Sequence, residues 1–109
     1  MSLFFKKLPK NEKSRAYRLA KAQKYDGMTV QYVTERLESG EVVLGKAGSI
    51  SVREGEVIVL SSQQIVFRCM AEDLNASDLL SGNGAILIGT DILTGRERTI
   101  VVHFLYYRK

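Results

Sequence analysis

Residues 50–69, I-S-V-R-E-G-E-V-I-V-L-S-S-Q-Q-I-V-F-R-C, limit what this chain can fold into more than any other stretch. Ile50 and Val52 alternate with Ser49, Ser51 and Arg53, the period of a strand with one buried face. Glu54-Gly55 follows as a two-residue turn, in which glycine supplies the positive φ that tight hairpins require. A loop of that length sets the register: Arg53 opposite Glu56, Val52 opposite Val57, and Ile50 opposite Val59. The first is a cross-strand charge pair. The others are β-branched apolar pairs that contribute from a few tenths to about 1 kcal/mol each.

The turn around Ser61-Ser62-Gln63 decides which face of the third strand is buried. Ile65, Phe67 and Cys69 alternate with Gln64 and Arg68. An odd number of loop residues puts Ile65 and Phe67 on the face of Val57 and Val59, whereas a two-residue loop moves them to the face of Ile58 and Leu60. Both faces of the middle strand are apolar, and the odd loop is the expectation.

A chain of 109 residues is long enough for one core and too short for two. Hydrophobic content of 45% with 26% charged residues suits a soluble globular domain, and nine glycines against one proline suit many short strands. The single cysteine excludes an internal disulfide and fits a reducing compartment. No apolar run approaches the ~18–20 residues of a membrane span. Leu3, Phe4 and Phe5 are too few for the core of a signal peptide. The expectation is a cytoplasmic protein.

Charge is unevenly distributed. Residues 1–26 hold eight basic side chains (Lys6, Lys7, Lys10, Lys13, Arg15, Arg18, Lys21, Lys24) against Glu12 and Asp26, whereas residues 27–109 hold eight basic and ten acidic. The chain therefore divides into a basic N-terminal arm and helix, 1–26, and a single β-rich domain, 27–109. Pro9 marks a boundary, and Asn11 caps a helix expected from about residue 12 to residue 24. Its apolar stripe reads as Ala16, Leu19, Ala20 and Gln23 with Tyr17 beside it.

Met28 to Leu37 mixes helical spacing with β-forming residues; Thr-Val-Gln-Tyr-Val-Thr decides for a strand over 29–37, paired with 41–44. After Cys69 the period changes, and Glu72 to Leu80 reads as one or two helical turns ended by Ser81-Gly82-Asn83-Gly84. Residues 85–90 form a strand, 91–95 a loop, and 96–107 the longest strand, with Ile100, Val102, Phe104 and Tyr106 on one face. The fold class is mainly β: about seven short antiparallel strands in a small barrel or two-layer sandwich, an N-terminal helix, and a short helix before the last hairpin. The strand count resembles small β-barrels of the pleckstrin-homology kind, from which the chain departs in lacking their closing C-terminal helix.

Little chemistry is legible. His103 and Cys69 are the only residues of their types, so no His/Cys metal cluster forms within one chain, and neither a cofactor nor a catalytic set is expected. Ser81-Gly82-Asn83-Gly84 lacks the lysine of a phosphate loop and leads into a strand where such loops open a helix. Glu72, Asp73 and Asp78 read as a solvated surface, and Tyr106-Tyr107-Arg108-Lys109 as a strand end with a solubilising terminus. Arg15-x-x-Arg18 followed by Asn75-Ala76-Ser77 resembles the paired motifs of cyclic-dinucleotide-binding PilZ domains. The arginine spacing is one residue short and the later motif incomplete, so the chain is not assigned to that family.

The leading expectation is a non-enzymatic binding or scaffold domain that engages a protein partner or another copy of itself, by strand addition along the C-terminal strand or by docking of the arm. Apolar exposure of Ile58, Val101 or Leu105 would favour it. The alternative is weak, sequence-independent nucleic-acid binding through the eight cations of residues 6–24. Membrane contact through Leu3, Phe4 and Phe5 ranks behind both, since one short apolar tip binds marginally.

Overall fold

The computed structural model describes residues 15–104. In chain order they form α1 (Arg15–Gln23), β1 (Thr29–Leu37), β2 (Gly40–Gly45), β3 (Gly48–Arg53), β4 (Glu56–Ser61), β5 (Gln64–Met70), a 3-10 turn (Ala71–Asp73), β6 (Asn75–Asp78), β7 (Gly84–Thr90) and β8 (Glu97–Phe104). The strands make one antiparallel sheet in the order β5-β4-β3-β1-β8-β7-β6, with β2 paired to β1 off that path. The expected mainly β class holds. The sheet curls until Gly89 of β7 lies against the Cys69 sulfur of β5, but β5 and β6 do not pair, so no barrel closes. The helical stretch before the last hairpin is a single 3-10 turn, and Asn75–Asp78, expected to be helical, is a strand. Leu74 and Ala76 are buried while Asn75 and Ser77 are exposed, a period of two. Leu80, which suggested helical spacing, is fully exposed in the turn that follows.

The central hairpin forms in the expected register, with Arg53 opposite Glu56, Val52 opposite Val57 and Ile50 opposite Val59. Glu54 and Gly55 both have positive φ, 52° and 81°, the geometry whose twist matches the flanking strands. Glu56 makes its ion pair with Arg68 of β5, whose Nε donates to Oε1 at 2.7 Å. The next turn departs from expectation. Ser62-Gln63 is a two-residue loop, both residues at positive φ, and Leu60 pairs with Ile65; then Val59 pairs with Phe67, leaving Val66 without a partner. One bulged residue restores the parity that the even loop inverts. Phe67 and Cys69 therefore enter the core opposite Val59 and Val57, while Ile65 remains 42% exposed.

The long C-terminal strand is enclosed: β8 pairs with β1 over Ile100–Phe104 and with β7 over Glu97–His103. Strand addition along it, as the sequence suggested, is blocked within the described residues. β1 is the sheet's branch point. Its Thr29–Val30 end pairs with β3 and its Val33–Leu37 end with β2, so β2 leaves the sheet as a projecting hairpin.

The core gathers Val30, Val33, Ile50, Val52, Val57, Val59, Phe67, Leu87, Ile100, Val102 and Phe104 from six strands. Burying each large side chain contributes about 1.5–3 kcal/mol relative to exposure. α1 joins this core, though not by the expected stripe. Ala22 and Tyr25 are buried, whereas Ala16, Leu19 and Ala20 are exposed. Alanine at position 22 lets the helix approach closely, and the Tyr25 ring reaches Phe104 at 6.5 Å between centroids.

A charged cluster fills the remaining opening. Arg98 gives a bidentate pair to Glu35 (3.0 and 2.7 Å), reaches Asp91 at 2.5 Å and donates to the Val66 carbonyl at 3.0 Å. Asp91 is wholly buried; it also accepts from the backbone N–H groups of Arg68 and Leu93. A buried carboxylate persists only with such saturation.

Candidate functional site

α1 lies beside β6, and the space between them is a polar concavity. Helical geometry puts Arg18 and Ala22 on successive turns of one face, with Lys21 at its margin and Tyr25 in the turn that follows the helix. Ala22 and Tyr25 go down into the core, so Arg18 and Lys21 are left at the helix–strand seam. On the opposite wall the alternation of β6 sends Ala76 inward and turns Asn75 and Ser77 outward. The result is a groove of about 180 Å³ lined by Tyr17, Arg18, Lys21, Leu74, Asn75, Ala76 and Ser77. A shallower surface over Tyr17, Ala20, Lys21 and Lys24 continues along the helix.

The groove's walls are pinned. Arg18 Nη1 donates to the Glu72 carbonyl at 3.5 Å. Ahead of β6, the Ala71 N–H donates to the Gly55 carbonyl at 2.7 Å, and Asp73 accepts the Thr90 N–H at 2.9 Å. Behind the groove, Asp78 accepts from the Tyr25 hydroxyl at 2.7 Å and pairs with Lys24 at 3.4 Å. The Tyr25 bond, aided by Lys24, holds the Asp78 carboxyl below the usual carboxylate range. Burial first, and then Asp78, push the Tyr25 hydroxyl upward.

In chemical terms the groove is lined by a guanidinium that also donates to the Glu72 carbonyl, an ammonium, an amide, a hydroxyl and an aromatic ring. Because β7 is the single strand partner of β6 among the described residues, alternate backbone groups of β6 also face outward. This donor set suits an anion; a nucleophile with its base is not part of it.

Of the eight candidate cations, Arg18 and Lys21 line this groove and Lys24 sits beside it against Asp78. Arg15 lies in the first turn of α1, and Lys6, Lys7, Lys10 and Lys13 lie outside the described residues, as do Leu3, Phe4, Phe5, Tyr106 and Tyr107. Asn75 and Ser77 stand out in the sequence only as the incomplete second half of the motif resemblance that begins at Arg15-x-x-Arg18; nothing short of the fold joins residues so far apart.

The other candidates separate. Cys69 is buried in the core, and burial, with Asp73 and Asp91, pushes its thiol up to about 12. His103 faces away from the core residues Val102 and Phe104 and stacks on Tyr32, with 4.2 Å between centroids. Burial lowers its pKa. Ser81-Gly82-Asn83-Gly84 is a hairpin turn; the Asn83 carbonyl accepts the Phe104 N–H. No group of three or more His, Cys, Asp or Glu residues is arranged to hold a metal ion among the described residues. No helix there is long and apolar enough to cross a membrane. Comparison with protein-family models, curated proteins and solved structures gives no match.

Proposed function

We propose that this chain is a non-enzymatic binding domain whose ligand is a small phosphate-bearing anion held between α1 and β6. The observation that carries this reading is the convergence of Arg18 and Lys21 with Asn75 and Ser77 on one groove. A guanidinium matches phosphate oxygens in pairs, and charge-assisted bonds of this kind contribute about 1.5–3 kcal/mol each. Tyr17 adds a flat apolar wall on which a ring attached to the phosphate can rest. Within this reading a cyclic dinucleotide is favoured by one specific observation. Arg18, the second arginine of Arg15-x-x-Arg18, and Asn75-Ala76-Ser77, the incomplete fragments that resemble the PilZ motifs, border the same groove.

A long nucleic acid fits less well. A continuous track needs cations along its length, and here Asp78 interrupts them beside a net-acidic body. Association with a protein partner or a second copy has different support. Val101 is buried and Ile58 half-buried, so neither supplies the apolar surface such docking needs, but Leu37, Val42 and Val43 on the β1–β2 hairpin are exposed. A cytoplasmic setting, where a lone buried cysteine stays reduced, suits all these readings.

Calorimetric titration of the full chain with pyrophosphate, mononucleotides, cyclic dinucleotides and a single-stranded oligonucleotide separates them. Saturable binding of a small phosphate compound, weakened at least about tenfold by Arg18→Ala, is the expected result. Binding that grows with oligonucleotide length would favour the nucleic-acid alternative, and no binding by any member would end the anion reading.

A further inference from the structure

A sheet that does not close must dispose of its edges, and among the described residues this one has three. The edge of β5 is covered within the chain. The Val66 carbonyl accepts from Arg98, the Arg68 N–H donates to Asp91, and the Arg68 carbonyl accepts the Ile92 N–H at 2.7 Å. The edge of β6 runs beside α1. The edge of β2 has, among the described residues, neither kind of cover. Among the described residues, no backbone hydrogen bond beyond its ladder with β1 engages Glu41, Val42, Val43 or Leu44. Val42, Val43 and Leu44 are also apolar where an unprotected edge would ordinarily carry charge. Val42 is 43% and Val43 62% exposed, and Leu37 across the hairpin is 46% exposed.

We infer that the β2 edge is a self-association surface, and that its occupant is the β2 edge of a second copy of this chain, added antiparallel about a two-fold axis. The choice of occupant rests on how the hairpin distributes its charge. Glu38 and Glu41 stand at the start of the segment and Lys46 at its end, with no charge between Glu41 and Lys46. Antiparallel pairing of two copies brings the acidic end of one against the basic end of the other; parallel pairing sets like against like. With the axis at Val42, that residue meets its own copy, Glu41 faces Val43, and the Glu38 end approaches Lys46. Such a contact is isologous and closes at two copies.

The bulge at Leu44 limits the regular edge to Gly40–Val43. A contact of that length buries less than the ~1,000 Å² of a stable interface, so the dimer is weak and concentration-dependent. It is separate from the groove between α1 and β6. Failure of anion binding leaves it standing, and its own failure leaves the groove reading standing.

The test is sedimentation velocity of the full chain from micromolar to millimolar concentration, with hydrogen exchange at both extremes. Wild-type protein should shift from monomer to dimer, and β2 amides should gain protection as it does. Val43→Lys should abolish the shift, whereas Val43→Thr, which preserves β propensity if the lysine variant misfolds, should retain it. Lys46→Glu should weaken the dimer several-fold, and adding Glu38→Lys should restore it. A protein that stays monomeric throughout, or a dimer indifferent to Val43→Lys and to the charge exchange, overturns the proposal.

Discussion

The hydroxyl of Tyr25 donates to Asp78 Oδ1 across 2.7 Å, fastening the end of the helical segment to the edge strand that forms the other wall of the groove. Tyr25 is 3% exposed and belongs to the same core as Phe104, so this bond links the basic segment to the sheet interior. Tyr25→Phe should cost about 1 kcal/mol at neutral pH, the usual worth of one hydrogen bond. Asp78 has a depressed pKa, so its share of stability is present above the ordinary carboxylate value and is lost as pH falls through the lower folded value. Denaturant titrations at neutral and acid pH should show the Tyr25→Phe deficit shrinking on acidification.

Asp91 and Arg98 form the ion pair on which the loop between β7 and β8 depends. Asp91→Ala should destabilise by about 3–5 kcal/mol, because it removes one of the two carboxylates facing Arg98 and also leaves the Arg68 and Leu93 N–H groups without their acceptor. Glu35→Gln should cost less, since Asp91 and the Val66 carbonyl still hold Arg98. Thermal unfolding of both variants checks the order. A loss at Asp91 no larger than that of a surface substitution would contradict the assignment.

His103 adds a pH dependence of its own. Its pKa is lowered from 6.5 by burial against Tyr32, so folding favours the neutral ring. Its contribution is complete above 6.5 and declines as pH falls below that value toward the folded pKa. His103→Phe keeps a ring on Tyr32 and should flatten stability over that window, as measured by denaturant midpoints at half-unit steps.

Ser62 and Gln63 both occupy the left-handed region, at φ 54° and 66°, where side chains other than glycine are strained. The Lys46 N–H donates to the Ser62 hydroxyl at 3.0 Å and helps hold the turn. Among the described residues no side-chain bond engages Gln63. Gln63→Gly should therefore stabilise by up to about 1 kcal/mol, the left-handed penalty less the entropy of glycine. A lower melting temperature would refute this.

What was legible in the sequence follows from the range of the interactions concerned. The Glu54-Gly55 hairpin is local, and its turn and alternation agree, so its register could be read directly. The face of Ile65 could not, because a bulge is invisible to any count of loop residues. The segment 75–78 was read as helical because Leu74, Leu79 and Leu80 mimic helical spacing, and pairing with β7 overrides that pattern. The inner face of α1 departs from the expected stripe for a related reason: Tyr25 lies past the last helical residue, in a turn, so no helical stripe includes it. Arg18 and Lys21 were singled out with six other cations, but nothing local distinguishes them. Their selection depends on the placement of Asn75 and Ser77, more than fifty positions away.

The bulge at Val66 has a consequence for which chain lengths this fold tolerates. With Val66 deleted, Ile65 would still face Leu60 and Phe67 would still face Val59, so the hairpin would gain an uninterrupted ladder with every side chain on its present face. Such a one-residue shortening is invisible to the hydrophobic pattern. What disappears is a carbonyl: the Val66 oxygen is one of the groups Arg98 donates to. The supernumerary residue thus supplies an acceptor that a regular strand would have committed to its neighbour. At this position, the number of residues in the chain is set by the needs of a half-buried cation on another strand.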